Sequence, residues 1–281
     1  MLKKRYNTRN TIIIALAIFC GAILILALLK SKLNLPYLIP ELIGLLIAVT
    51  LVIVVTSLTT GRDAVIVNEP SEYPPENITP SQAGCIQDGL IDTREIVSAI
   101  FFLAQKGYFV IREYELHQFE FIYGKYPMQE DRSMRLLFNG IFGKAKEGDI
   151  VKLIDARERL VKILPEFKKL VIKSIVSKKN KEIAVLTGKV NGFIETIINN
   201  SQERYADLVK EDKEYLYKII PYAYVFTIAS KLPSKFEKIY VDNPDWYLPY
   251  GTEDGYNFDV VIYNSMLRNL PNQFNNLIIK G

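Results

Sequence analysis

The chain has 281 residues, of which 49% are hydrophobic, and a formal net charge of +4. Its two cysteines and single histidine exclude a disulfide framework and a zinc site built from clustered cysteine and histidine ligands. The hydrophobic residues concentrate near the N-terminus. The average composition therefore combines a strongly apolar stretch with an ordinary globular region.

Two apolar runs predict transmembrane helices at about residues 11–29 and 38–58. The first run carries no charge and, at a rise of about 1.5 Å per residue, covers roughly the 30 Å hydrocarbon thickness of a bilayer. A secretory signal peptide is the rival interpretation, but its apolar core has about 7–15 residues and ends at a small-residue cleavage site. This run ends instead at Lys30, Ser31 and Lys32. Residues 1–60 are therefore predicted to form a transmembrane hairpin.

The basic residues that flank the hairpin predict its orientation. The N-terminal tail carries Lys3, Lys4, Arg5 and Arg9, whereas the short connection between the two helices carries only Lys30 and Lys32. Basic segments stay on the cytoplasmic side. We expect a protein that crosses the cell membrane twice, with both termini and everything after residue 60 in the cytoplasm.

The soluble part begins with a proline-rich linker, residues 61–78, and continues into a winged-helix-like unit, residues 79–125. Thr79 and Asp92 each have a Gln or Glu three residues later, which is the capping-box pattern that starts a helix. Gly107 is placed to end the second helix. Two segments rich in β-branched and aromatic residues follow and predict a hairpin.

The charges of this unit argue against the DNA-reading use of winged helices. Acids outnumber bases between residues 79 and 125, the acids being Asp88, Asp92, Glu95, Glu113, Glu115 and Glu120 and the bases Arg94, Lys106, Arg112 and Lys125. A DNA-binding surface needs a positive footprint. A structural or protein-contact role is therefore expected, and nucleic acid is not an expected partner.

Residues 126–186 are predicted to form a small α/β unit that ends in a basic helical region, inside which Pro165 starts a new helix. Lysines alternate there with apolar residues. Two interpretations remain open: an ordinary domain helix with a solvated lysine face, which is favoured, or a helix near the anionic inner leaflet of the membrane. The residues for leaflet contact are Lys162, Lys168, Lys169, Lys173, Lys178 and Lys179.

Residues 187–281 are predicted as a helical region with an irregular tail. A helix is expected at about residues 190–200, and the apolar segment 215–229 is expected to be a core helix because Lys218 and Pro221 interrupt it. Scattered Pro, Asn and Gly predict an irregular tail from residue 242. The predicted fold class is α+β, mostly helical, with the transmembrane hairpin followed by the winged-helix-like unit and further helices.

Several strings resemble the cytoplasmic region of the YciQ-like predicted bacterial membrane proteins, a domain-of-unknown-function family. The strings are Gly61-Arg62-Asp63, Tyr73-Pro74-Pro75-Glu76, residues 79–84, 88–89, 92–96, 103–108 and 218–223, and Pro244-Asp245-Trp246-Tyr247. Members typically carry a large extracytoplasmic β-rich domain and further membrane helices, neither of which this sequence contains. The resemblance implies cytoplasmic placement, but it implies no activity and no site residues.

No motif specifies a reaction. The sequence has no phosphate-binding loop ending in Gly-Lys-Ser/Thr and no G-x-S-x-G elbow, so no catalytic, cofactor-binding or metal-binding residues are predicted and no cofactor is expected. The predicted function is a membrane-anchored cytoplasmic interaction or scaffold module that contacts the lipid bilayer and a protein partner or a second copy of itself. A membrane-associated nucleic-acid-binding protein is the alternative, and an enzyme of unrecognised type is third.

Overall fold

The computed structural model describes residues 65–252 and 256–279. The predicted transmembrane hairpin, residues 1–60, lies outside the described residues. Within them, no helix combines the length and the apolarity needed to cross a bilayer. Residues 66–281 cluster into one unit, which is α+β and mostly helical. That part of the predicted fold class is confirmed.

The order helix, helix, hairpin predicted from residue 79 is present: α1 (Pro80–Asp88), α2 (Thr93–Gln105), β1 (Phe109–Glu115) and β2 (Gln118–Tyr123). Both capping boxes form as predicted, at Thr79 and at Asp92. Gly89 and Gly107 have φ of 77° and 73°, a left-handed conformation that glycine adopts without steric cost. Local sequence signals therefore set the limits of both helices.

The chain continues through seven helices and two short strands: α3 (Arg132–Phe142), β3 (Ile150–Lys152), α4 (Leu153–Val176), α5 (Asn180–Asn199), α6 (Gln202–Glu211), α7 (Tyr215–Val225), α8 (Pro233–Phe236), β4 (Tyr247–Leu248) and α9 (Val260–Phe274). A 3₁₀ turn (Ala229–Lys231) precedes α8, and a π-helical turn (Asn275–Ile279) follows α9.

The four strands form one mixed sheet in the order β3-β2-β1-β4. β2 pairs antiparallel with β1 and β3, while β4 pairs parallel with β1. Strands from the predicted 79–125 and 126–186 units thus share one sheet. α2 is almost entirely buried, with Ile96 through Ala104 inside a hydrophobic cluster that also includes side chains from α4, α7 and α9.

Pro165 does not start a new helix, contrary to the prediction, because α4 runs through it without a break. A proline inside a helix costs roughly 3 kcal/mol, since it removes one backbone hydrogen bond. Pro165 is exposed, so the carbonyl left without that bond lies on the solvent side. Leu160, Leu164 and Phe167 form a continuous buried face across the proline, and their burial offsets this cost.

The tail is not irregular, because it contains the 15-residue helix α9. Asp259 caps this helix by accepting the backbone N–H groups of Val261 and Ile262. Its buried residues include Tyr263, Met266, Leu270 and Phe274, which recur at helical spacing. The helix expected at residues 190–200 is also longer than predicted, because α5 begins at Asn180.

The segment 66–78 of the proline-rich linker forms no helix or strand and packs against the helices. We call it the strap. The backbone N–H of Glu69 donates to the carbonyl oxygen of Gly188 in α5 at 3.1 Å. Glu72 accepts a hydrogen bond from Arg204 in α6 at 2.6 Å, and this bond lowers the pKa of the Glu72 carboxyl. The strap therefore belongs to the folded unit.

Candidate functional site

A cleft of about 1450 Å³ lies where distant segments of the chain meet. Its wall comes mainly from the strap, the C-terminal end of α2, the loop before α3, the first turns of α7 and the loop before β4. Small-molecule sites typically measure roughly 300–1,000 Å³. This cleft is large enough for a short length of extended polypeptide.

Tyrosine side chains of α7 form part of the wall and are fixed by hydrogen bonds from their hydroxyl groups. The Tyr217 hydroxyl donates to the carbonyl oxygen of Asp242, and the Tyr222 hydroxyl donates to that of Ile78 at 2.6 Å. The ring of Tyr217 packs edge to face on Trp246, with centroids 6.1 Å apart. Burial raises the pKa of Tyr217 and of Tyr222, so both hydroxyl groups stay protonated near neutral pH.

Trp246, the single tryptophan of the chain, lines the cleft. Its indole N–H is buried and has no hydrogen-bond acceptor among the described residues. The carbonyl oxygen of Trp246 accepts the N–H of Ile111 at 2.8 Å, which fixes the loop beside β1. A buried donor without an acceptor costs roughly 1–3 kcal/mol.

The lysines of the wall are already paired with carboxylates, whereas some of the acids are not. The pairs are Lys106 with Glu130 at 3.5 Å, Lys213 with Asp242 at 3.1 Å and Lys218 with Asp212 at 2.7 Å. Glu76, Glu214 and Asp245 are exposed and form no ion pair within the described part of the chain. We call these three residues the acidic rim. The uncompensated charge of the cleft is therefore negative.

Three further carboxylates are buried away from the cleft, on Glu95, Glu113 and Glu120. Glu113 accepts the backbone N–H of His117 at 2.7 Å, and Glu120 forms an ion pair with Arg112. One carboxylate oxygen of Glu95 accepts the backbone N–H of Asp92 at 2.8 Å. In the described ranges, no group of three or more His, Cys, Asp or Glu side chains is placed to hold a metal ion.

No family model, curated protein or solved structure matches the chain. The resemblance to YciQ-like proteins stays a prediction. Five of the strings that carry it nevertheless contribute to one cleft, although they are far apart in sequence. The residues they supply to the wall are 73–76, 79, 82, 104–107, 218, 222 and 244–246.

The six lysines predicted for leaflet contact lie on α4 and in the turn that follows it, and none of them lines the cleft. The exposed members are Lys162, Lys169, Lys173 and Lys179, while Lys168 and Lys178 are half-buried. Sequence reasoning missed the cleft. The sequence feature that could have pointed to the cleft is the set of strings with aromatic residues and prolines, one of which contains the only tryptophan. Where these strings meet depends on the tertiary fold.

Proposed function

We propose that the chain is a membrane-anchored cytoplasmic interaction module whose cleft binds an extended, basic segment of a protein partner. In this proposal the apolar runs of residues 1–60 fix the protein at the membrane. The strap follows directly after them and forms one wall of the cleft.

A cleft with an aromatic wall and an acidic rim, whose uncompensated charge is negative, is the observation that carries this proposal. An extended peptide with basic side chains complements this charge. Lysine or arginine side chains of the peptide would then face Glu76, Glu214 and Asp245. Aromatic walls suit the aliphatic stems of such side chains.

The winged-helix-like unit, residues 79–125, is proposed to serve protein contact rather than DNA reading. Its second helix, α2, is buried along most of its length, so it is covered by the chain itself. Arg94, a half-buried cation near the start of this helix, is paired with Asp88 at 3.2 Å and Asp92 at 3.3 Å. The acidic rim would also repel a phosphate backbone.

Trp246 emission provides a direct test, because this one tryptophan lines the proposed site. The full chain in mild detergent is titrated with a capped peptide of alternating lysine and alanine, and separately with a peptide that has glutamate in place of lysine. We expect a saturable change with the lysine peptide that weakens as salt is raised. The glutamate peptide should leave the emission unchanged.

Charge-removing variants locate the binding to the acidic rim. Asp245→Asn and Glu214→Gln are each expected to weaken the lysine peptide roughly two- to fivefold, as for partly exposed ion pairs. Glu237→Gln removes an exposed acid outside the cleft and should leave the affinity unchanged. Equal affinity in all three variants, or an equal response to both peptides, would contradict the proposal.

A further inference from the structure

The exposed side of α4 carries a row of apolar side chains that remain partly exposed among the residues the structure describes. Ile154, Val161, Ile172 and Val176 are 45%, 45%, 39% and 59% exposed. Their separations of 7, 11 and 4 positions place them on one side of a helix with 3.6 residues per turn. This side lies about 120° around the helix from the buried face that includes Leu160 and Phe167.

Lysines border the apolar row on both sides. At about 100° per residue, Lys162, Lys169 and Lys173 lie along one edge and Lys168 lies along the other. Between residues 160 and 181 the chain has seven lysines and a single acid, Glu166. That acid pairs with Lys169 at 3.8 Å, which leaves the surface strongly cationic. We call the apolar row and its four lysines the outer face of α4.

We propose that the outer face of α4 lies on an anionic lipid surface. An apolar row with lysine edges matches the acyl boundary and the charged headgroups at the same time. A nucleic acid would use the lysines but would have no partner for the four aliphatic side chains. The outer face also has no aromatic residue on which a base could stack.

This lipid contact is independent of peptide binding, because no residue of α4 lines the cleft. Lysines near an anionic surface each strengthen membrane association by roughly fivefold. The aliphatic row adds a contribution that does not depend on charge. Contact of both kinds would fix the orientation of the folded unit at the bilayer.

Acetylation footprinting of the full chain tests the proposal. The chain is reconstituted in vesicles of phosphatidylcholine alone or with about 30% phosphatidylserine, and each lysine's acetylation rate is measured by mass spectrometry. We expect Lys162, Lys169 and Lys173 to react at least about fivefold more slowly in anionic vesicles. Lys210, whose side chain is 78% exposed, lies on α6 and serves as the reference. Equal rates in both vesicles overturn the proposal.

A variant that removes the apolar row separates lipid from nucleic acid. Ile172→Ser combined with Val176→Ser should reduce the lysine protection in anionic vesicles from about fivefold to about twofold or less. Val261→Ser changes an exposed aliphatic residue on α9 and should leave the protection intact. Protection of the same lysines by duplex DNA but not by anionic vesicles would overturn the lipid proposal in favour of nucleic acid.

Discussion

Glu95 is a carboxylic acid that the fold places in its core, at the start of α2. One oxygen accepts the backbone N–H of Asp92 at 2.8 Å, while the other is buried without a partner. Burial, followed by interaction with Asp92, raises the pKa of Glu95 to about 7. The sequence predicted the capping role of this residue, since capping depends on positions three apart. It did not predict the burial, which depends on residues packed around α2.

The raised pKa makes stability depend on pH. The ordinary pKa of glutamate, 4.5, lies below the value of about 7 in the folded chain, so the folded chain holds the proton more tightly than the unfolded chain does. The contribution of Glu95 to the free energy of unfolding is therefore greatest below about pH 4.5. It should fall by at most about 3 kcal/mol as the pH rises through 7. Urea unfolding followed by Trp246 emission measures this change.

Glu95→Gln is the matched variant, because glutamine keeps an oxygen for the Asp92 N–H but carries no titrating proton. We expect its unfolding free energy to change little between about pH 5 and pH 8. The two proteins are compared by how steeply the unfolding free energy changes with pH. This comparison does not depend on the absolute stability of the variant. Parallel pH dependence in the wild type and the variant would show that burial does not raise the pKa of Glu95.

At the scale of elements, the strap depends on two glycines of α5. The carbonyl oxygen of Val67 lies against Gly188 and that of Glu69 lies against Gly192, so closely that an added Cβ at either glycine would overlap the strap backbone. Glycine in a helix interior costs about 1 kcal/mol relative to alanine. Here it permits a contact that no side chain would allow.

Alanine at either glycine should therefore displace the strap. For Gly188→Ala and Gly192→Ala we expect the Glu69 amide, which donates to the carbonyl oxygen of Gly188, to exchange hydrogen about tenfold faster or more. Amide exchange is a better measure than stability, because alanine also favours the helix. Lys189→Ala is the control between the two glycines, and exchange as slow in all three variants as in the wild type would contradict the strap contact.

Element boundaries were predictable where local chemistry sets them and not where packing does. The limits of α1 and α2 follow from caps within a few residues of each helix end. α4 continues through Pro165 because a buried face extends on both sides of the proline. α9 was missed because its Asn and Pro residues suggested a loop, although Tyr263, Met266 and Leu270 already had helical spacing.

For the whole molecule, composition and periodicity were enough to predict a mostly helical α+β class. They could not predict the cleft, because its wall joins residues such as Tyr73 and Trp246 that are far apart in sequence. The helical pattern likewise predicted the lysine face of α4, but it did not predict which aliphatic side chains stay exposed between the lysines. Tertiary contacts determine both the cleft and these exposed side chains.

Membrane anchoring with the folded unit in the cytoplasm is tested most directly by cysteine accessibility in intact cells. Single cysteines are placed at Ser31, between the predicted membrane helices, and at Ser234, which is exposed in the folded unit, after replacement of Cys20 and Cys85. An impermeant thiol reagent should label position 31 and leave position 234 unlabelled. Labelling at position 234 would place the folded unit outside the cell and contradict this topology.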